Sequence, residues 1–190
     1  MVKRKLGSNP FLFPMPAAIV GAEVEGKPCY MTIAYCGIVN NGPAMLAIGS
    51  NPNHHTVKGI EEHGCFSVNI PSTDIVMETD YVGMVSGAST DKSDVFTPFY
   101  GSLKHAPLIE ECPVGLECKL VKRLDIGGND SIFIGEIVET YCNESCLEDG
   151  VPDIKKVDPV IYGTGTREYW GLGKKLAKAW SVGSGYVKRS

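Results

Sequence analysis

The first fifty residues alternate between short apolar runs and turn residues, a pattern that predicts antiparallel β-strands. Apolar, β-branched and aromatic residues fill the segments 17–24, 29–39 and 44–50. Turn sequences, Glu-Gly-Lys-Pro at 25–28 and Asn-Asn-Gly-Pro at 40–43, separate them. Because the connections are short, the three strands are expected to form an antiparallel meander.

The pattern changes after residue 50 and predicts a helix. Asn51 can cap a helix and Pro52 is tolerated at the first helical position, so the helix is expected to begin at Pro52. Val57 and Ile60 give it a narrow apolar face, and Gly64 is typical of the residue that ends a helix.

A strand and a second helix are predicted to follow. Residues 65–70 are apolar and β-forming, and Pro71 ends that run. Residues 73–85 are predicted to be helical, followed by a polar, turn-rich segment at 86–94. The apolar face of this second helix is expected to hold Ile75, Val76, Tyr81 and Met84.

The second half of the chain again predicts β structure. Segments 114–126 and 131–142 flank the turn Gly-Gly-Asn-Asp and form a two-stranded ribbon. Segment 158–173 offers a last short strand and an aromatic loop, and the basic tail 174–190 is expected to start as a short helix. Six or seven antiparallel strands, with helices inserted after the third and fourth, predict a mainly β fold: a closed or split barrel. We expect a single domain over residues 1–190, with its core at about 10–165.

Composition narrows the classes of function. The net charge of −4 argues against a general nucleic-acid binder, because such proteins carry a basic excess. The longest apolar runs fall well short of the roughly 18–20 residues of a membrane span. No targeting segment is evident, since prolines interrupt the apolar stretch after the basic start. We therefore expect a cytoplasmic protein that binds neither nucleic acid nor membrane.

The chain has seven cysteines, and they are predicted to be reduced. An odd number without a targeting segment argues against a disulfide framework. The spacings of Cys112 with Cys118 and of Cys142 with Cys146 also differ from the C-x2-C pair of zinc sites. Most of these thiols are therefore expected to pack as small apolar side chains.

Several familiar motifs are absent from the sequence. There is no G-x-G-x-x-G after a strand, no G-x-x-x-x-G-K-[ST], and no G-x-S-x-G. His54 and His55 are adjacent, and adjacent helical side chains project about 100° apart, so they are not expected to share a metal ion. No metal site is predicted. A Cys–His nucleophile stays open, although the sequence pairs no particular couple.

The segment "SNPNHHT" (residues 50–56) is better suited to an anion. If a helix begins at Pro52, its first-turn amides lack intrahelical partners and its dipole favours negative charge. Hydroxyl, amide and imidazole donors surround that turn. The segment therefore indicates a phosphate site, although many capped helices bind nothing.

Four motifs in order resemble those of the flavin reductase-like and flavoredoxin family, the FMN-binding split barrels. "MTIAYCGIVNNGPAMLAIGS" (31–50) resembles the strand that lines the flavin, with the turn and strand after it. "NPNHHTVKGI" (51–60) resembles the segment that opens the helix, and "FSVNIP" (66–71) the strand that ends in asparagine and proline. "VGMVSGASTDK" (82–92) resembles the later serine-glycine and aspartate-lysine stretch. The resemblance implies an antiparallel, Greek-key-like split β-barrel.

The resemblance also implies a set of FMN-binding residues. The flavin ring is expected to contact Thr32, Ala34 and Tyr35. The phosphate or its surroundings are expected to contact Ser50, Asn51, His54, His55 and Thr56. Asn69 is expected beside the cofactor, and the later motif adds Ser86, Gly87 and Lys92. Asn51 departs from the family pattern, which commonly has arginine there. Two alternatives follow: a lower affinity for the phosphate, or compensation by Lys92 or a histidine.

The function implied by the resemblance is that of an FMN flavoprotein acting as a homodimer. Electrons would pass between NAD(P)H or a ferredoxin-like donor and flavin or another acceptor. The flavin would carry the redox chemistry, so no side chain is named as catalytic. The alternative on the same fold is a non-enzymatic protein that binds flavin or haem, or an electron carrier.

Overall fold

The computed structural model describes residues 1–187, and most of their regular structure is β. In chain order the strands are β1 (Met15–Pro16), β2 (Ala18–Val24), β3 (Lys27–Ile33), β4 (Cys36–Asn41), β5 (Ala44–Ser50), β6 (Cys65–Ile70), β7 (Pro98–Phe99), β8 (Leu108–Ile109), β9 (Val114–Asp125), β10 (Ser131–Cys142), β11 (Leu147–Glu148), β12 (Val151–Pro152), β13 (Ile161–Gly163) and β14 (Glu168–Trp170). The helices are α1 (His55–His63), α2 (Val76–Met84) and α3 (Ile154–Val157), with 3-10 turns at Thr73–Ile75, Glu144–Cys146 and Val182–Gly185. The prediction of a mainly β fold is confirmed.

Seven strands form one antiparallel sheet in the order β3-β2-β6-β9-β10-β5-β4. The two outer strands, β3 and β4, are consecutive in the chain and are separated only by Ala34 and Tyr35. A link of that length spans at most about 11 Å, so the two outer strands must meet there. The sheet therefore curls into a barrel that is closed at this point by the chain itself rather than by a hydrogen-bonded strand pair.

The predicted strand over residues 29–39 is wrong, because the structure divides it into β3 and β4. At the link, the Tyr35 carbonyl accepts a hydrogen bond from the Gly49 amide at 2.8 Å, and the Cys36 amide bonds back to Ala34. A continuous strand would stay beside one neighbour. The break instead lets the chain cross from β2 on one side of the barrel to β5 on the other.

Helix α1 begins three residues later than predicted. His54 is its N-cap, with extended φ and ψ of −63° and 138°. The residues before it form a separate turn, in which Asn51 accepts from the Asn53 amide through its side chain (2.9 Å) and from the His54 amide through its carbonyl (3.1 Å). The predicted end at Gly64 is confirmed, since this residue adopts a left-handed φ of 62°.

Helix α2 lies within the predicted range 73–85, but a 3-10 turn at Thr73–Ile75 precedes it and it buries a different face. Thr79 and Val82 are its buried residues, whereas Met84 is 75% exposed and Tyr81 is also exposed. The helix packs on β3, where the Thr32 hydroxyl donates to the Thr79 carbonyl. The apolar residues alone did not identify the buried face. Thr79 can be buried because its hydroxyl donates to the Ile75 carbonyl at 2.7 Å.

The predicted helix at the start of the basic tail is also wrong. Residues 174–178 have no regular structure, and the first helical turn is the 3-10 segment Val182–Gly185. The tail is exposed, so it has no packing partner to stabilise a short helix. The last three residues of the predicted tail, 188–190, lie outside the described residues.

The barrel interior holds the main apolar core. Its largest members are Phe66, Phe133, Ile48 and Ile60, all fully buried. All seven cysteines are free, and five are buried, which agrees with the prediction of reduced thiols. Within residues 1–187, no helix is long and apolar enough to cross a membrane.

Candidate functional site

A groove runs along the outside of the barrel beside the link between β3 and β4. Its larger compartment has a volume of about 370 Å³, and its smaller one about 190 Å³. Thr32, His54, Gly83 and Met84 line both compartments, so the two are continuous. Together they fall within the size range of small-molecule sites.

The residues predicted to contact a ring system line the larger compartment. Thr32, Ala34 and Tyr35 form one wall, and Gly83 of α2 faces them. A Cβ atom at Gly83 would lie 3.0 Å from the Thr32 Cβ, so this glycine sets the width of the groove. The Thr32 hydroxyl is committed to the Thr79 carbonyl. Thr32 therefore presents its methyl group and its backbone to the groove.

The predicted phosphate residues divide between the two compartments. Ser50, Asn51 and His54 line the larger one, and His54, His55 and Thr56 line the smaller one. Ser50 Oγ lies 3.1 Å from His54 Nδ1, which holds that ring over the groove. Thr56 is buried, and its hydroxyl lies 3.3 Å from Cys29 Sγ.

The positive end of α1 points into the smaller compartment. Because the helix begins at His55, the amides open to a ligand are those of His55 and Thr56, since the Val57 amide donates to the His54 carbonyl at 3.0 Å. His55 Nδ1 is buried and, among the described residues, has no hydrogen-bond partner. A buried polar atom without a partner is costly, so this one is suited to a ligand.

Ser86 and Gly87 close the smaller compartment from the other side. A Cβ atom at Gly87 would lie 2.9 Å from His55 Cδ2 and 2.8 Å from Cys29 Sγ. A larger residue would therefore fill the space beside His55. The Ser86 hydroxyl accepts from the Ala88 amide at 3.3 Å, which shapes the turn that carries Gly87.

Lys92 is more buried than a phosphate-binding lysine was expected to be. It is only 4% exposed, and its Nζ donates to the carbonyls of Val82 (2.9 Å) and Val85 (3.0 Å) at the end of α2. Burial lowers the pKa of this amine. Two of its three N–H donors are used by the protein, which leaves one for the groove that it lines.

Asn69 does not line either compartment, contrary to the prediction. It is fully buried, and its amide donates to the Ile19 carbonyl (3.1 Å) and to Ser67 Oγ (2.9 Å). Its side-chain oxygen accepts from the Ile109 amide at 3.1 Å. These bonds tie β2, β6 and β8 together, so the role of Asn69 in this fold is structural.

The sequence did not reveal the outer wall of the groove. That wall comes from the small sheet β1-β13-β14, which contributes Tyr162 and Tyr169, and from Asp80 of α2. The Tyr169 hydroxyl donates to Asp80 Oδ1 at 2.9 Å. Burial, and then this hydrogen bond, raise the pKa of Tyr169 to about 12. The aromatic loop at 158–173 was the available signal, but nothing in it indicated the partner on α2.

A family model and solved structures of known proteins both match this chain. Residues 11–171 match the family described as flavin reductase like domain. The structure of flavoredoxin from Methanosarcina acetivorans is 43% identical, with a TM-score of 0.93 and coverage of 96% of this chain and 98% of that one. Flavoredoxin of Desulfovibrio vulgaris (Miyazaki F) is 38% identical, with a TM-score of 0.89 and coverage of 96% and 100%. A ferric-chelate reductase (NAD(P)H) of Archaeoglobus fulgidus is 24% identical over 64% of this chain and 72% of its own.

Proposed function

The chain belongs to the flavin reductase-like domain family, and from this premise we propose that it binds FMN in the groove and transfers electrons through it. The family and the split barrel agree with the predictions made from the four motifs. The ring system would occupy the larger compartment beside Thr32, Ala34 and Tyr35. The phosphate would occupy the smaller one, at the start of α1.

The observation that carries this proposal is the unpartnered Nδ1 atom of His55. It lies at the positive end of α1, next to Gly87 and within the same compartment as Lys92. A phosphate there would accept hydrogen bonds from this ring, from the first-turn amides and from the remaining Lys92 donor. The donor set is therefore suited to an anion although Asn51 provides no positive charge.

FMN, when bound, supplies the electron transfer, and the residues of the chain position it. Thr32 is held by Thr79, and Gly83 keeps the groove open opposite it. Tyr169 and Asp80 hold the outer wall against α2. We assign binding and orientation to these residues and proton transfer to none of them.

The proposal includes a homodimer that acts in the cytoplasm. Exposed Ile38 and Val39 on the outer strand β4 support a partner copy, since they continue from Tyr35 at the groove. Free thiols at all seven cysteines suit a reducing compartment. Electrons would come from NAD(P)H or from a ferredoxin-like protein.

A titration with FMN and riboflavin tests the binding proposal. The two ligands differ only in the phosphate, so FMN should bind at least about 100-fold more tightly if two charge-assisted hydrogen bonds hold it. Quenching of flavin fluorescence measures both dissociation constants. Equal affinities for FMN and riboflavin would contradict the proposed phosphate site. If neither ligand bound, the proposal that the chain binds FMN would be wrong.

Anaerobic reduction separates the two versions of the function. If the protein is a reductase, NADH or NADPH alone should bleach the bound flavin and sustain turnover with added ferric or flavin acceptor. If it is a carrier, only a reduced ferredoxin-like protein should bleach it. The absorbance of the bound flavin reports both results.

A further inference from the structure

The far end of α1 brings two histidines and a glutamate together outside the groove. His63 is the last residue of the helix, Glu23 lies near the end of β2, and His105 lies in the loop before β8. One potential ligand atom from each residue lies within 4.8 Å of the other two. His105 Nδ1 is 3.1 Å from Glu23 Oε1, and the imidazole rings of His63 and His105 stack with centroids 4.0 Å apart.

Close packing and a backbone hydrogen bond fix the chain segments that carry these three residues. Gly59 allows α1 to approach β2 so closely that a Cβ atom there would overlap the Glu23 carbonyl. The Glu23 amide donates to the His105 carbonyl at 3.0 Å, which fixes the loop to the strand. Gly64 ends the helix directly after His63. These backbone contacts therefore hold Glu23, His63 and His105 close to one another.

We propose that Glu23, His63 and His105 form a binding site for Zn²⁺ or a similar divalent transition metal. Two imidazoles and a carboxylate are ligands that such ions prefer, and three protein ligands leave a fourth position for water. All three residues are partly buried, so the ion could enter from solvent.

Coordination requires a small rearrangement of the side chains. Tetrahedral ligands at about 2.0–2.1 Å from an ion lie roughly 3.4 Å from one another, so the cluster must contract. The two ring planes are 12° apart and cannot both contain the ion. One imidazole must therefore turn about χ2, a torsion with a broad minimum, and the partial exposure of His105 leaves room for it.

The proposed metal site is separate from the flavin groove. His55 and His63 stand at opposite ends of α1, about 12 Å apart along the helix axis. The sequence could not reveal the cluster, because its members are far apart in the chain. The metal proposal departs from the sequence-based prediction of no metal site, which rested on the adjacency of His54 and His55 and on cysteine spacings that differ from those of zinc sites.

Calorimetric titration of Zn²⁺ into the flavin-containing protein, against a competing chelator, tests the proposal. A single equivalent should bind, and excess Zn²⁺ should raise Tm by about 5 °C. His63→Gln and His105→Gln should each weaken binding at least tenfold, since even outer-shell changes cost about 10–100-fold. Glu62→Gln, an exposed change one residue from His63, is the matched control and should bind normally.

The free cysteines are the main competitor for zinc, and Co²⁺ distinguishes them. A site of nitrogen and oxygen ligands gives visible d–d bands without the near-ultraviolet band of a cobalt–thiolate bond. A thiolate band, or binding that His63→Gln and His105→Gln leave unchanged, would overturn the proposal. Flavin absorbance and circular dichroism of each variant confirm its fold, and Glu23→Gln replaces any variant that fails. FMN binding is measured in the same samples, so failure of the metal site leaves the flavin proposal intact.

Discussion

Buried polar groups of the barrel interior and of the groove are satisfied in different ways. In the interior, Asn69 uses both ends of its amide within the chain. The Glu117 carboxylate is also fully buried, and it accepts from the amides of Gly101 (3.2 Å), Ser102 (3.0 Å) and Leu103 (3.0 Å). Apart from the bond between Asn69 and Ser67, which lies within β6, each of these bonds ties one strand or loop to another.

The groove contains polar groups that the chain leaves incomplete. His55 Nδ1 has no partner among the described residues, and Lys92 uses two of its three donors. Since a buried group without a partner destabilises the fold, its presence at the groove indicates a ligand. The comparison teaches that burial alone does not identify a functional residue here. Unfilled hydrogen-bonding capacity at the groove does, whereas the Tyr30 hydroxyl, which also has no partner among the described residues, lies in a core cluster away from the groove.

The largest effect is expected from the interior. Asn69→Ala should lower the free energy of unfolding by about 2–3 kcal/mol, because it leaves the Ile109 amide without its Asn69 acceptor and removes the side-chain bonds to the Ile19 carbonyl and Ser67 Oγ. FMN affinity of the folded protein should stay within about twofold of the original. Urea unfolding and flavin titration measure the two quantities.

Asn143→Ala is the matched control, since Asn143 is exposed and should change stability by no more than about 0.5 kcal/mol. If Asn69→Ala lost FMN affinity without losing stability, Asn69 would belong to the binding site after all, and the distinction between interior and groove would fail.

A substitution in the groove should instead weaken FMN binding and leave the stability of the fold unchanged or higher. His55→Leu should weaken FMN binding by about tenfold or more, through the loss of one charge-assisted hydrogen bond. The free energy of unfolding without flavin should stay the same or rise, because an unpartnered buried nitrogen is removed.

Riboflavin serves as the ligand control for this variant, because it lacks the phosphate and its affinity should hardly change. Equal losses of affinity for FMN and riboflavin would show that His55 does not contact the phosphate. A large loss of stability would show that the ring is already satisfied within the protein.

The smallest effect is expected at the outer wall of the groove. Tyr169→Phe removes the hydrogen bond to Asp80 and should cost about 0.5–1 kcal/mol. Burial and this bond raise the pKa of Tyr169 from 10.0 to about 12, so the folded protein favours the neutral phenol. Its contribution is therefore complete below about pH 10 and is lost as the pH rises towards 12.

Absorbance of phenolate at 295 nm, followed from pH 9 to 12.5, checks this direction. The original protein should show one more late-ionising phenol, near pH 12, than Tyr169→Phe, whose remaining late phase comes from Tyr30, Tyr100 and Tyr141 with their raised pKa values. If all tyrosines ionised near pH 10 in both proteins, the wall would not be closed by this bond.

Local patterns predicted the regular elements of the fold well. The strand over residues 131–142 and the helix end at Gly64 agree with the structure, because alternation and a left-handed glycine are properties of the local sequence. The break between β3 and β4 was missed, since only the closure of the barrel requires it. The start of α1 was also missed, because Asn51 caps a turn of its own instead of the helix.

The candidate site was predictable only in part, and for a physical reason. Motif resemblance identified Thr32, Ala34, Tyr35 and the residues at the start of α1, all of which line the groove. It also named Asn69, whose side chain is bonded to β2, β8 and its own strand and lines neither compartment. It also could not reveal Tyr169 with Asp80, a pair that is 89 residues apart and meets only in the folded chain.

The two-residue link at Ala34 and Tyr35 has a consequence for how the length of this chain can vary. It is the direct covalent link between the two outer strands of the sheet, and its Tyr35 carbonyl accepts from the Gly49 amide. Inserted residues there would let the barrel edges separate at the place where the ring-binding wall is formed. The exposed turn at Gly127 and Gly128 joins strands that are already neighbours, so extra residues there would leave the pairing intact. Loop grafts and reporter insertions therefore belong in the hairpin and not in the link.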